Sequence, residues 1–479
     1  MKVSTYYNLN RTQATLDFLD VDIYNDIKLY IDPYAFEIIP SEFSDRCKYY
    51  IQNYFDTLIS YIKTDKIDAA KRMLLELREP NETHLGMSKE ESKGRGLGPY
   101  LASEILSSLQ ESEAVKTGLL QNLEESALLV TGVSYDIISD IVTNIIRKEL
   151  ITYTQDMAEL YGIPLEENVN SGPMWNPEKK QWYSELVSLP KTDKGILILI
   201  PKAIIRKRTN YDIDEYYNSY VLDFLRTQEF QANSGLIELL KNGKQRITKK
   251  SLSSKYGTEK KRVSVRETLK HPEIMNNYRE SKINNISAPL SHEELSIIEN
   301  VPHVDLNKIY QKLLIIPTGR EYADEYEKVV EELLSAIFYP DLMYPKAQHR
   351  IHEGRKRIDI TYTNIAQKGF FYWLALNYPA PHIFIECKNY SADLSNPEYD
   401  QLAGRFSMSR GKFGLLVCRN NVNVERALQR SIDTAQDQRG YILVIEDSDF
   451  KELIEIRQSI DYNKQMFVYL KGKFDKLIM

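Results

Sequence analysis

Cysteine is scarce. Cys47, Cys387 and Cys418 are the only three in 479 residues. A scattered, odd-numbered set builds no disulfide framework and has no paired metal-ligand spacing, so a reduced, cytoplasmic setting is expected. Long apolar runs are also missing, so no membrane-spanning helix is expected. The first residues, MKVSTYYNLNRTQ, lack the apolar centre of a secretory leader. There is no repeat period and no long low-complexity tract. Neither charge is in excess. The 62 Lys and Arg stand against 68 Asp and Glu, a formal net charge of -6. The chain as a whole has no nucleic-acid signature, and any basic surface must be local.

At 479 residues the chain exceeds one ordinary core, so two or three domains are expected. Residues 1–164 read as mostly helical, with Tyr50, Tyr54, Leu58 and Tyr61 at helical spacing and Ile137, Ile141, Ile145 and Ile146 along another helix. Within them SKGRGLGPY reads as a loop feeding a helix near Pro99. Its Gly94, Gly96 and Gly98 match no phosphate-loop spacing. Residues 165–305 read as a mixed α+β region that is either separate or continuous with the first. ILILIPKAII fits a buried strand there, and Leu236 to Leu240 a helix. The run KNGKQRITKKSLSSKYGTEKKRVSVRETLK is strongly basic, with Glu259 and Glu267 its only acids; a solvated face accounts for it as well as a nucleic-acid contact does. Residues 306–479 alternate most cleanly, in the order α-β-β-β-α-β with a further α-β, a compact α/β unit on a central mixed sheet.

The chemistry concentrates in that last unit. In HIFIECKNY, period-2 alternation puts Phe384, Glu386 and Lys388 on one face and Ile385, Cys387 and Asn389 on the other. In RKRIDITY the same rule sets Asp359 opposite Ile358 and Ile360. If the two strands are neighbours, two carboxylates and an ammonium converge. Paired carboxylates raise each other's pKa unless a cation lies between them. A hard ion, Mg²⁺ or Mn²⁺, takes oxygen ligands. The expected ligands are Asp359, Glu386 and the backbone carbonyl of Cys387, with Lys388 helping to orient or deprotonate the attacking water. Glu-x-Lys alone is common. It recurs at Glu91, Glu178, Glu259 and Glu280, in polar or helical settings where a solvated ion pair suffices. Only the copy at Glu386 follows an apolar strand and an Asp-bearing one.

RIDI followed by IECKNY resembles the PD-(D/E)xK nuclease superfamily, with its restriction-endonuclease-like fold, and within it the layout is similar to the Mrr-like and Holliday-junction-resolvase-like branches. The resemblance covers the last third of the chain, and Ile358 stands where the nominal motif has Pro. It implies that Asp359 and Glu386 hold the metal and that Lys388 is the motif lysine. Gln401, on the following helix, takes the place of a Gln beside the catalytic amine. Glu327 takes that of a helix Glu reaching the metal or its water, with Glu331 an equal alternative one turn on. KAQHRIHEGRKRID supplies Arg350, Arg355, Lys356 and Arg357 ahead of Asp359, beside His349 and His352, which a carboxylate site does not need. Arg405 and Arg410 extend the same surface, so that phosphates of DNA have cations to pair with.

The expected function is a Mg²⁺- or Mn²⁺-dependent deoxyribonuclease whose N-terminal region senses, targets or oligomerises. By analogy with similar layouts it acts in defence against phage or foreign DNA. The expected partners are DNA, a phage or host protein met by the N-terminal region, and further copies of the chain, since cutting both strands needs two centres. The alternative is a non-catalytic DNA-binding or protein-interaction module that keeps the nuclease fold.

Overall fold

The computed structural model describes residues 1–86, 99–208, 210–284, 288–351, 356–420 and 423–479. The glycines at 94, 96 and 98 lie outside them, while the helix expected from Pro99 runs Pro99–Glu111. In the N-terminal region the helix Glu42–Lys63 shows how local sequence dictates structure. Ser41 caps it by accepting from the Ser44 N–H at 3.0 Å, acids occupy its first turn, and Lys63 ends it. Cys47, Ile51, Tyr54 and Leu58 form its buried stripe, which shares Tyr54 and Leu58 with the stripe expected, while Tyr50 and Tyr61 are half-buried beside it. One hydrophobic cluster runs from Val3 to Leu295 and takes in Tyr339, Met343, Tyr344 and Ile365.

Two expected elements differ. Leu197–Ile200 are buried but form no strand. Their backbone groups pair singly, with Pro190 O, Glu82 O, Thr154 Oγ1 and Leu19 N, and Pro201 ends the run. A buried backbone needs partners, not a ladder. In the stretch Leu236 to Leu240, Glu238–Leu239 pairs with Gln245–Arg246 as a hairpin where a helix was expected.

The C-terminal unit contains helices α1 (Leu306–Ile315), α2 (Ala323–Ile337), α3 (Gly369–Asn377), α4 (Asn396–Ala403), α5 (Val424–Gln436), α6 (Asp447–Arg457) and α7 (Tyr462–Ile478). Its strands are β1 (Leu342–Ile351), β2 (Lys356–Asn364), β3 (His382–Lys388), β4 (Phe413–Cys418) and β5 (Tyr441–Glu446), adjacent in that order. β1, β2 and β3 are antiparallel; β3, β4 and β5 are parallel. The parallel strands are buried on both faces, which is why FGLLVC and YILVIE read as nearly continuous apolar runs. α2, α3, α6 and α7 contribute to the cluster on one face, and α4 packs Tyr399 and Leu402 on the other. α3, GFFYWLALN, has no counterpart in the expected order. It is apolar on nearly every side, so it carries no helical period to read.

The N-terminus straps onto this unit. Arg11 pairs with the buried Glu331 of α2 at 2.6 Å. Asp17 Oδ1 accepts from the Tyr344 N–H at 2.9 Å, and the Lys202 ammonium lies 4.2 Å from the Tyr339 ring centroid. Arg11→Ala leaves Glu331 a buried charge without its cation, at an expected cost of about 3–5 kcal/mol. A lower Tm with faster proteolysis within α2 checks this, and Arg11→Ala/Glu331→Gln is expected to recover at least half the loss.

Candidate active site

The site lies where the sheet splits. β2 and β3 pair from Thr363↔His382 to Ile360↔Ile385, and beyond that pair β2 continues only with β1. Asp359 and Glu386 are the next residues on either side of the gap. Ile358 and Ile360 consequently end in different hydrophobic clusters, so the strict alternation expected around Asp359 does not hold. With no ladder partner beyond the split, the Cys387 N–H donates to Asp359 Oδ2 at 2.9 Å. The N–H and C=O of one strand residue point to the same side. The Cys387 carbonyl therefore faces the same gap. Its thiol is buried and pushed up by that burial, which suits a backbone role and not a nucleophile.

Glu386 is fully buried. Its Oε1 accepts from Lys388 Nζ at 2.7 Å and from Gln401 Nε2, while Gln401 Oε1 accepts from Lys388 at 3.3 Å. The three side chains close a triangle. Ser395 and Glu398 form the capping box that starts α4 and so sets the helix carrying Gln401. Glu386 Oε2 is buried and accepts no hydrogen bond from any described residue. An unpartnered buried carboxylate oxygen is costly and needs a reason.

The electrostatics agree. Burial, then the neighbouring Asp359, pushes Glu386 up to about 7. Burial also raises Asp359, against the opposing pull of the Cys387 N–H and Lys388. Burial and then Asp359 push Glu327 up to about 7. Burial works against the Lys388 charge, but the neighbouring acids, Glu386 first and then Asp359, together more than offset it and the ammonium's pKa is raised. Acids crowded in a gap that strain to hold protons at neutrality are what a cation relieves.

Glu327, not Glu331, faces this site, because Glu331 is taken by Arg11 and by the Ser335 hydroxyl at 2.8 Å. Glu327 Oε2 accepts from Gln348 Nε2 at 2.6 Å. Gln348 stands across from Asp359, between the pairs Ala347↔Ile360 and His349↔Ile358. It adopts a φ of 51°, unusual for a non-glycine residue. Sequence reading missed it because KAQHRIHEGRKRID was weighed only for its cations.

The expected nucleic-acid cations divide. Arg357 is exposed beside Glu327 and Asp359, and pulls both down. Arg405 is buried, a charge neighbour of Asp359 and Glu386 and not a surface contact, because its chain folds inward after α4. Arg410 donates to the Arg405 carbonyl at 3.2 Å. Arg350 and Lys356 lie in β1 and β2 with side chains outside the described part; Arg355 and His352 lie outside the described residues.

Among the described residues, no group of three or more His, Cys, Asp and Glu side chains is arranged to hold a metal ion. The donor set on offer is two carboxylates and a carbonyl, oxygens only, which suits a hard ion that keeps several waters. Residues 8–212 match a protein family described as Domain of unknown function (DUF8370); the match covers less than half of the chain and ends before the sheet. No curated protein and no solved structure matches the chain. Among the described residues no helix is long and apolar enough to cross a membrane.

Proposed function

We propose that the chain is a metal-dependent endonuclease hydrolysing DNA phosphodiesters, with residues 306–479 forming a restriction-endonuclease-like PD-(D/E)xK domain. One observation carries the reading: Asp359, Glu386, Lys388 and Gln401 meet at the split between β2 and β3, with a Glu386 oxygen left unpartnered. The order of a helix, two antiparallel strands, the inserted helix α3, a third antiparallel strand, a helix and a parallel strand is compatible with it.

Asp359, Glu386 and the Cys387 carbonyl would hold Mg²⁺ or Mn²⁺. When bound, such an ion acidifies the attacking water and offsets phosphate charge. Lys388 keeps its proton and sets a positive charge beside the carboxylates, where negative charge develops on the phosphodiester. Gln401 holds Lys388 and Glu386 in register. Glu327, poised near 7, exchanges a proton at working pH. Cutting both strands calls for two copies. Defence against foreign DNA is the role we assign by analogy, with the N-terminal region as its sensor.

The test is cleavage of circular, linear and single-stranded DNA and of RNA by the full chain, with Mg²⁺ or Mn²⁺, beside Glu386→Ala. DNA nicked or cut by the wild type only supports the proposal. Salt-sensitive DNA binding without cleavage, indifferent to chelator, assigns the chain to the non-catalytic reading. Glu327→Gln is expected to lower the rate about tenfold or more and to shift the acid limb of the pH–rate profile, because it removes one titrating group.

A further inference from the structure

A second surface, far from the sheet in sequence, carries charge out of keeping with the chain. Residues 241–270 contain eleven Lys and Arg against two Glu, within a protein of formal net charge -6. The structure folds them into an eight-residue helix, Lys249–Tyr256, a turn over Gly257–Glu259, and an eleven-residue helix, Lys260–Lys270. Thr248 caps the first helix by accepting from the Ser251 N–H at 3.1 Å. Gly257 has a φ of 115°, and a Cβ there would come within 3.2 Å of Val263, so the turn demands glycine. Leu252 and Val263 are buried, and Arg266 bridges the helices by donating to the Tyr256 carbonyl at 2.7 Å. Lys261 fastens the second helix to the carbonyls of Val130 and Val133.

The outward face of the second helix presents Arg262, Arg266 and Lys270 at i, i+4 and i+8, all exposed. Arg266 and Lys270 share Glu267, whose side chain is buried beneath them. Among the described residues, Lys241, Lys244, Lys250 and Arg262 make no ion pair. Two helices joined by a three-residue, glycine-containing turn, the second basic and outward, share the connection length of a helix-turn-helix, whose second helix lies in a major groove.

We infer that residues 249–270 are a duplex-DNA contact, with Lys260–Lys270 entering the major groove and Lys241, Lys244 and Lys250 pairing with flanking phosphates. The occupant is double-stranded DNA because the stripe is cationic and lacks exposed aromatic side chains on which unpaired bases would stack. The inference stands independently of the nuclease centre.

The test is fluorescence anisotropy of the full chain with a labelled 30-base-pair duplex in EDTA, across a salt series. Lys250→Ala/Arg262→Ala alters two exposed, unpaired cations and is expected to raise Kd about tenfold and to lower the salt slope by about 2. The control pair Lys71→Ala/Lys179→Ala, also exposed, is expected to leave both unchanged. Unchanged affinity in the first pair, an equal loss in the control, or tighter binding of single strands or RNA than of duplex overturns the inference. A chain that binds duplex through Arg262 but cuts nothing keeps this inference and loses the nuclease proposal. A chain that cuts yet ignores Arg262 does the reverse.

Discussion

Lys388→Met is expected to reduce single-turnover cleavage by about 10²–10³-fold and, at pH 8, to destabilise the protein by about 3–5 kcal/mol. The two losses have different causes. The rate falls because the positive charge beside the phosphodiester is gone. The stability falls because Glu386, fully buried, loses its 2.7 Å partner and at pH 8 must either stay charged unpaired or take up a proton, both costly. Glu386 is pushed up to about 7, so at pH 5.5 it carries a proton and the stability loss shrinks while the catalytic loss stays. Glu386→Gln separates the two further. Gln keeps an oxygen for Lys388 and Gln401, so its stability cost is expected to be only about 1–2 kcal/mol, yet cleavage is lost as completely. The double variant Glu386→Gln/Lys388→Met is expected to be more stable than Lys388→Met alone. Thermal melts at both pH values beside cleavage rates check the whole pattern; equal Tm losses at pH 5.5 and 8 would remove the buried-carboxylate argument.

The second large effect is stabilisation by Mn²⁺ that grows with pH. Glu386 has a folded pKa near 7 against an ordinary 4.5. Between those values folding takes up a proton, so this group's contribution to stability falls as pH rises from about 4.5 to 7 and stays low above 7. Glu327 behaves in the same direction. A cation binds the ionised carboxylates and competes with those protons. At pH 8, Mn²⁺ at a hundred times its Kd is expected to add about 2.7 kcal/mol, a rise in Tm of several degrees. At pH 6 the rise is expected to be clearly smaller. Asp359→Asn/Glu386→Gln is expected to abolish it at both pH values. A shift that is independent of pH, or that survives in the double variant, places the ion elsewhere.

Much of the site could be read before the fold was known, and the limits are physical. Asp359, Glu386 and Lys388 announce themselves because charges punctuate strand runs that are otherwise apolar, and Gln401 because a capped helix follows at once. The choice between Glu327 and Glu331 could not be made from α2 itself. It is decided by Arg11, at the other end of the chain, which claims Glu331. Gln348 was hidden for a similar reason: its role comes from β1 lying beside β2, and an isolated Gln in a basic run carries no pattern. Alternation failed at Ile358, which packs with the other cluster from Ile360 at the point where β2 parts from β3 while still paired with β1. The buried run Leu197–Ile200 misled for the opposite reason, since apolar composition reports burial and not backbone pairing.

The most direct test of the central claim is anomalous diffraction at the manganese edge from crystals of the full chain soaked in Mn²⁺ at pH 8. One strong peak is expected between the carboxylates of Asp359 and Glu386, on the side of the Cys387 carbonyl, and no such peak in crystals of Glu386→Gln. A wild-type chain that shows no manganese there, or the same peak in the variant, would contradict it.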